Sequence, residues 1–253
     1  MKNVITAYSV FLLILAVGCA SPKKIVYFQN NEDVSINDSI LNYSPKIQAG
    51  DILAINVSAV DAEAALPFNL YETPIVGDFV ANAIPITYLV NEDGNIFFPV
   101  IGKFNVSGLT TKEINEKLTT VLDSYINEPI INLRLMNFRI TVLGEVMKPG
   151  SFTIPDERIS IIDAIGLAGD LTIYGERENI TLIREQNGTR TFVNVDLTNR
   201  ELFKSPYFFL TQNDVIYVEP NKTKVNSSTV GPNTGIIVSA ISIIISVVAI
   251  LIK

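Results

Sequence analysis

Few residues of this 253-residue chain could do chemistry. It has one Cys, Cys19, and neither His nor Trp. A single Cys forms no internal disulfide and leaves no Cys-based zinc site. Without His, the commonest general base and the commonest metal ligand are missing. Asp61 with Glu63, or Glu176 with Glu178, could be called paired carboxylates. General acid–base work needs carboxyls that flank a site and have shifted pKa values. Each pair reads instead as a solvated loop, so the chain is expected not to be an enzyme and to need no metal or cofactor. What is left is the thiol of Cys19. It stands after an apolar run, Val10 to Val17, and a small residue, Gly18. That is where a lipoprotein signal peptidase would need it, and the chemistry is acylation.

The segment around Cys19 has signal-peptide architecture, with Lys2 as a positive start and an apolar core too short for a stable span. It resembles a bacterial lipobox, departing from it at Ala16, where Leu is more usual. Residues 1–18 are therefore expected to be a signal peptide, and 19–44 a lipidated, palmitate-type tether with at most one strand. Ala20 is not Asp. By resemblance to known sorting signals, the lipoprotein is expected at the outer membrane, with its body in the periplasm. The chain carries 19 basic and 26 acidic residues, a net charge of -7. A nucleic-acid partner would need a basic face to displace counterions, so none is expected.

At the other end, 221–234 reads as a linker. No charge falls between Ile236 and Ile252. As a helix those residues would reach about 26 Å, against a hydrocarbon core of about 30 Å. A membrane-spanning helix over 235–253 is the expectation. Gly235, Ser239, Ser242, Ser246 and Ala249 fall within an arc of about 80° on it. Serines can bond back to their own helix carbonyls in a plain anchor. They can also form a small-residue packing stripe, or face a water-filled pore. A lipidated protein already has one anchor, so the stripe points to assembly.

The elements between these ends form two small modules. In 45–137, Leu53, Ile55, Val57 and Ala59 alternate with Ile52, Ala54, Asn56 and Ser58, predicting a buried strand after the Gly50-Asp51 turn. Asn91 to Gly94 predicts a hairpin between Tyr88–Val90 and Asn95–Phe98. Thr110 to Glu113 is a capping box for a helix with Ile114, Leu118, Val121 and Leu122 on its apolar face. Ile131, Leu133 and Leu135 predict a further strand. In 138–220, Phe138, Ile140 and Val142 start a strand that turns at Lys148 to Ser151. Ser160 caps a helix carrying Ile161, Ile162, Ile165 and Leu167. Ile180–Arg184 and Thr191–Val195 flank an Asn187-Gly188 turn, and Tyr207–Leu210 and Asp214–Val218 predict closing strands. Gly50-Asp51 and the residues after it are echoed at Asn213-Asp214. The fold class is α+β, with two small β-grasp-like modules and a C-terminal transmembrane α-helix.

PKIQAGDILAINV and YLVNEDGNIFFPVIGKFNVSGLTTKEINEKL resemble the polysaccharide biosynthesis/export domain of outer-membrane capsule and exopolysaccharide translocons. ITVLGEVMKPGSFTIPDERISIIDAIGLAGDLT and FFLTQNDVIYVEP resemble the SLBB domain that follows it. The resemblance implies a homo-oligomeric ring and channel that carries polysaccharide cargo from periplasm to cell surface. Its partners would be an inner-membrane copolymerase and the lipid of the outer membrane. A single SLBB module implies a shorter assembly than in members with two. A periplasmic ligand-binding or adaptor lipoprotein with no channel is the alternative.

Overall fold

The computed structural model describes residues 25–29, 43–73, 75–76, 79–80, 83–186, 188–229, 239–240, 242–244 and 246–247. Alternation of apolar residues makes Ile52–Ser58 strand β1, with Leu53, Ile55 and Val57 buried. A short helix α1, Ala62–Ala65, follows it. Strand β2, Thr87–Leu89, pairs antiparallel with β1 and sets Tyr88 opposite Leu53. Strands β3, Asn95–Phe98, and β4, Gly102–Asn105, form a hairpin of their own. Helix α2, Thr111–Leu122, begins in the expected capping box, with Thr110 and Glu113 satisfying each other's backbone N–H. The Thr110 N–H and hydroxyl both donate to the Glu113 carboxylate and hold it below its ordinary range. Helix α2 buries Ile114, Leu118 and Leu122. Strand β5, Ile130–Leu135, pairs antiparallel with β1, completing the three-stranded order β2-β1-β5.

The turn expected at Asn91 to Gly94 is present, closed by the Gly94 N–H on the Asn91 carbonyl. Its flanks do not pair with each other. Tyr88 is committed to β1, so β3 pairs forward with β4 across Pro99–Ile101.

The second module contains β6, Arg139–Gly144, β7, Gly150–Thr153, and α3, Ile161–Leu167. Then come β8, Gly175–Gln186, β9, Thr189–Val195, and β10, Val215–Pro220. The sheet order is β7-β6-β10-β8-β9, with β6 and β10 parallel at its centre. A Cβ at Gly144 would collide with the Val218 carbonyl oxygen of β10, and its φ is +90°. Only glycine allows that approach. Helix α3 starts in a second capping box, Ser160 with Asp163. Its inner face is Ile161, Ala164 and Ile165, and Ala168 follows, also buried. Leu167, expected inside, is exposed, because helical spacing from Ile161 selects the two alanines. Residues 207–210 form no strand beyond a single bridge of Ser160 with Phe209. The buried side chains of both modules form one cluster, with Phe138 at the junction.

The architecture is thus a mixed α/β fold. The expected transmembrane helix over 235–253 is corrected: among the described residues no helix is long and apolar enough to cross a membrane. The longest of them, α2, has 12 residues, about 18 Å at 1.5 Å per residue. In the stretch read as linker, Lys222–Thr229 form helix α4, which is polar.

Candidate functional site

Cys19, Gly235 and Ala249 lie outside the described residues. Ser239, Ser242 and Ser246 are helical and exposed. The Ser246 hydroxyl donates to the Ser242 carbonyl at 2.9 Å, a bond back onto its own helix. The two carboxylate pairs have structural settings. Asp61 caps α1 by accepting the Glu63 N–H. Glu176 and Glu178 lie on β8 rather than in a loop.

The built part of the molecule is the junction between the modules, where two aspartate turns face a shared connector. In the first turn the Asp51 carboxylate accepts the Gln48 N–H at 2.8 Å, and Gly50 has φ +87°. In the second, the Asp214 carboxylate accepts the Thr211 N–H at 2.8 Å, and Asn213 has φ +64°. Both aspartates are 1 % exposed. Between the turns runs the connector, residues 137–139. Asn137 Oδ1 accepts the Ile52 N–H, and its Nδ2 donates to the Gly50 carbonyl. Gln212 Oε1 accepts the Arg139 N–H, and its Nε2 donates to the Asn137 carbonyl. Each turn therefore grips the connector through one amide side chain.

The two carboxylates are treated differently. Asp214 meets Arg184 in a two-pronged pair, Nε to Oδ1 at 3.0 Å and Nη2 to Oδ2 at 2.6 Å. The guanidinium also donates to the Phe209 carbonyl. Asp51 has no ion-pair partner among the described residues. Burial pushes its carboxyl up from the ordinary 3.8 to about 6, against the opposing Gln48 N–H.

Beside this junction opens a cleft of about 620 Å³. Its floor is the outer face of the second sheet. Val215, Ile183 and Phe192 form one row across β10, β8 and β9. Glu185 and Arg190 pair in the next register position on that face, at 2.7 Å. Gln48 and Ala49 of the first turn and Gln212 and Asn213 of the second form the wall. Phe192 is 67 % exposed.

A contact surface missed by sequence reasoning lies on the far side of the second module. Residues 25–29, read as tether, dock there. The Phe28 and Gln29 N–H groups donate to the Leu197 and Thr198 carbonyls, and Arg200 Nε donates to the Phe28 carbonyl. Tyr27 donates its hydroxyl to Asp170, and the Arg177 guanidinium lies 5.5 Å from the Tyr27 ring centre. Burial first, and then that hydrogen bond, raise the Tyr27 phenol above its ordinary range. Phe28 packs on Phe203, and Tyr43 stacks on Phe209. Phe203, which receives Phe28, packs in turn on Phe208, and Phe209 of the run Tyr207-Phe208-Phe209 receives Tyr43. The signal available in the sequence was that run together with the apolar stretch Ile25 to Phe28.

Comparison with known proteins gives two adjoining matches. Residues 41–136 match the family described as polysaccharide biosynthesis/export protein, and 139–218 match the SLBB domain. The boundary between them falls on the connector. Among curated proteins, the chain is 26% identical over 214 residues to the "EPS I polysaccharide export outer membrane protein EpsA" of Ralstonia solanacearum. That alignment covers 80% of this chain and 56% of the relative. The protein of the same name from Ralstonia nicotianae is 25% identical over 216 residues, covering 81% of this chain and 56% of the relative. The chain therefore spans little more than half the length of these relatives.

Proposed function

This chain, a polysaccharide biosynthesis/export domain followed by an SLBB domain, belongs to the polysaccharide export proteins, and we propose that it is the outer-membrane component of a polysaccharide translocon. It acts as a homo-oligomer held to the membrane by acylation of Cys19 and delivers polymer arriving from an inner-membrane copolymerase. The observation that carries this proposal is the unbroken succession of the two domains over 41–218. The names of the Ralstonia relatives support the cargo and the membrane. Exposed apolar side chains on the export domain, Leu89 on β2 and Phe97 on β3 among them, support burial against further copies. Conduction asks for a repeated interface and weak contact with the cargo rather than catalysis.

Native mass spectrometry of the full-length, detergent-extracted protein tests the assembly. A discrete homo-oligomer of acylated subunits is the expected result, and an acylated monomer would contradict the ring. Cys19→Ala should remove the acyl mass; normal acylation of that variant would overturn the anchor.

A further inference from the structure

We propose that the cleft between the Gln48–Ala49 turn and the β8–β9 hairpin is a saccharide subsite, a proposal that rests on the export function above. Its volume, about 620 Å³, lies within the roughly 300–1,000 Å³ of small-molecule sites, and it sits between two domains, where such sites concentrate. The lining decides the ligand class. The floor row Val215, Ile183 and Phe192 is apolar and ends in an aromatic ring open to solvent. Beside it are planar polar groups: the Glu185–Arg190 pair and the amides of Gln48 and Asn213. A pyranose ring has the complementary surface, with C–H faces that stack on an aromatic ring and a rim of hydroxyls that both donate and accept. A lipid chain would want an unbroken apolar lining. A phosphate-bearing ligand would want surplus cationic charge, and Arg190 is already neutralised by Glu185 at 2.7 Å.

The neighbouring groups have different tasks. Both polar ends of the Gln212 amide are engaged by the connector, so Gln212 fixes the wall. Phe192 is the stacking platform. Arg190 and Glu185 are the groups that meet hydroxyls. Binding here is weak and repeated along a polymer, because the cargo must leave.

The test titrates the full-length, detergent-extracted protein with oligosaccharides cut from the surface polysaccharide of its source cells. Saturation-transfer NMR reads the contact and calorimetry the affinity. Phe192→Ala should weaken binding at least about fivefold, the worth of one aromatic stacking contact. Phe192→Leu, which keeps apolar area but loses the ring face, should weaken it comparably. Lys112→Ala, on the solvent face of α2, should bind as the parent does. Unchanged affinity in both Phe192 variants would overturn the subsite. Loss of self-association with sugar contact intact would assign this face to a neighbouring copy and also overturn it. A strain lacking the gene separates this proposal from the export function. If its surface polysaccharide is lost, restored by Phe192→Ala, and binding is unaffected, the subsite falls and the export function stands. If surface polysaccharide persists without the gene, the export function falls, and the titration still decides the subsite.

Discussion

The turns at 48–51 and 211–214 are built alike, and their aspartates are equally buried, yet one is paired and the other is not. Each carboxylate accepts an N–H from three residues earlier at 2.8 Å, and each turn bends through a left-handed residue. Arg184 reaches Asp214 from β8, the strand next to β10. The neighbours of β1, which follows Asp51, are β2 and β5, and neither supplies a cation to that turn. A buried charge is tolerated when a guanidinium meets both of its oxygens. Otherwise burial shifts the group toward its neutral form. The same turn geometry thus gives a fixed ion pair in one module and a proton-sensitive position in the other.

The largest way to break this comparison is to remove the cation. Arg184→Met leaves Asp214 buried and unpaired and should cost about 3–5 kcal/mol in urea unfolding. Adding Asp214→Asn should recover most of the loss. If Arg184→Met costs less than about 1 kcal/mol, the pair is not what holds that turn.

Next in size is the pH response of Asp51. Its folded pKa, about 6, lies above the ordinary 3.8, so the folded chain holds this proton more tightly than the unfolded one. The resulting stabilisation is fully present below about pH 4 and is lost as pH rises through about 6. Asp51→Asn keeps an oxygen for the Gln48 N–H and removes the titration. Relative to that variant, the parent should lose about 2 kcal/mol between pH 4 and pH 8. Parallel stability curves would show that Asp51 is not raised.

A smaller effect is expected at the shared connector. Asn137→Ala removes the acceptor of the Ile52 N–H and the donor to the Gly50 carbonyl. It should cost about 1 kcal/mol and speed hydrogen exchange at the Ile52 amide, while the Thr211 amide on the paired turn keeps its protection. Equal loosening of both turns would show that the connector couples them as one unit. The smallest effect is expected from Thr111→Ala. It removes an exposed bond between the modules, Thr111 Oγ1 to Glu157 at 2.8 Å, and should cost under about 1 kcal/mol.

The local elements were legible where a period or a cap dictated them. The alternation in β1 and β5, the capping box at Thr110 and the cap at Ser160 needed only neighbouring residues. The turn expected at Lys148 to Ser151 falls earlier, because Gly150 and Ser151 already pair with β6. What required partners distant in sequence was not legible. Tyr88 pairs with Leu53 rather than across its own turn. Tyr207-Phe208-Phe209 looks like a strand until Tyr43 is seen stacked on Phe209 and Phe203 packed on Phe208. The echo of Gly50-Asp51 in Asn213-Asp214 was visible, but Arg184, about thirty residues away, gave no sign of closing on one aspartate alone. The cleft was illegible for the same reason, since its walls come from residues 48–49 and 212–213 and its floor from 183–192 and Val215. At the C-terminal end the apolar run pointed to a membrane span that the described helices do not supply.

The most direct test of the central claim is where polymer accumulates when this chain is missing. Surface and periplasmic polysaccharide would be quantified in the source strain, in a strain lacking the gene, and in that strain with the gene restored. An export component predicts loss of surface polymer with retention inside the envelope, reversed on restoration. Unchanged surface polymer in the strain lacking the gene would contradict it.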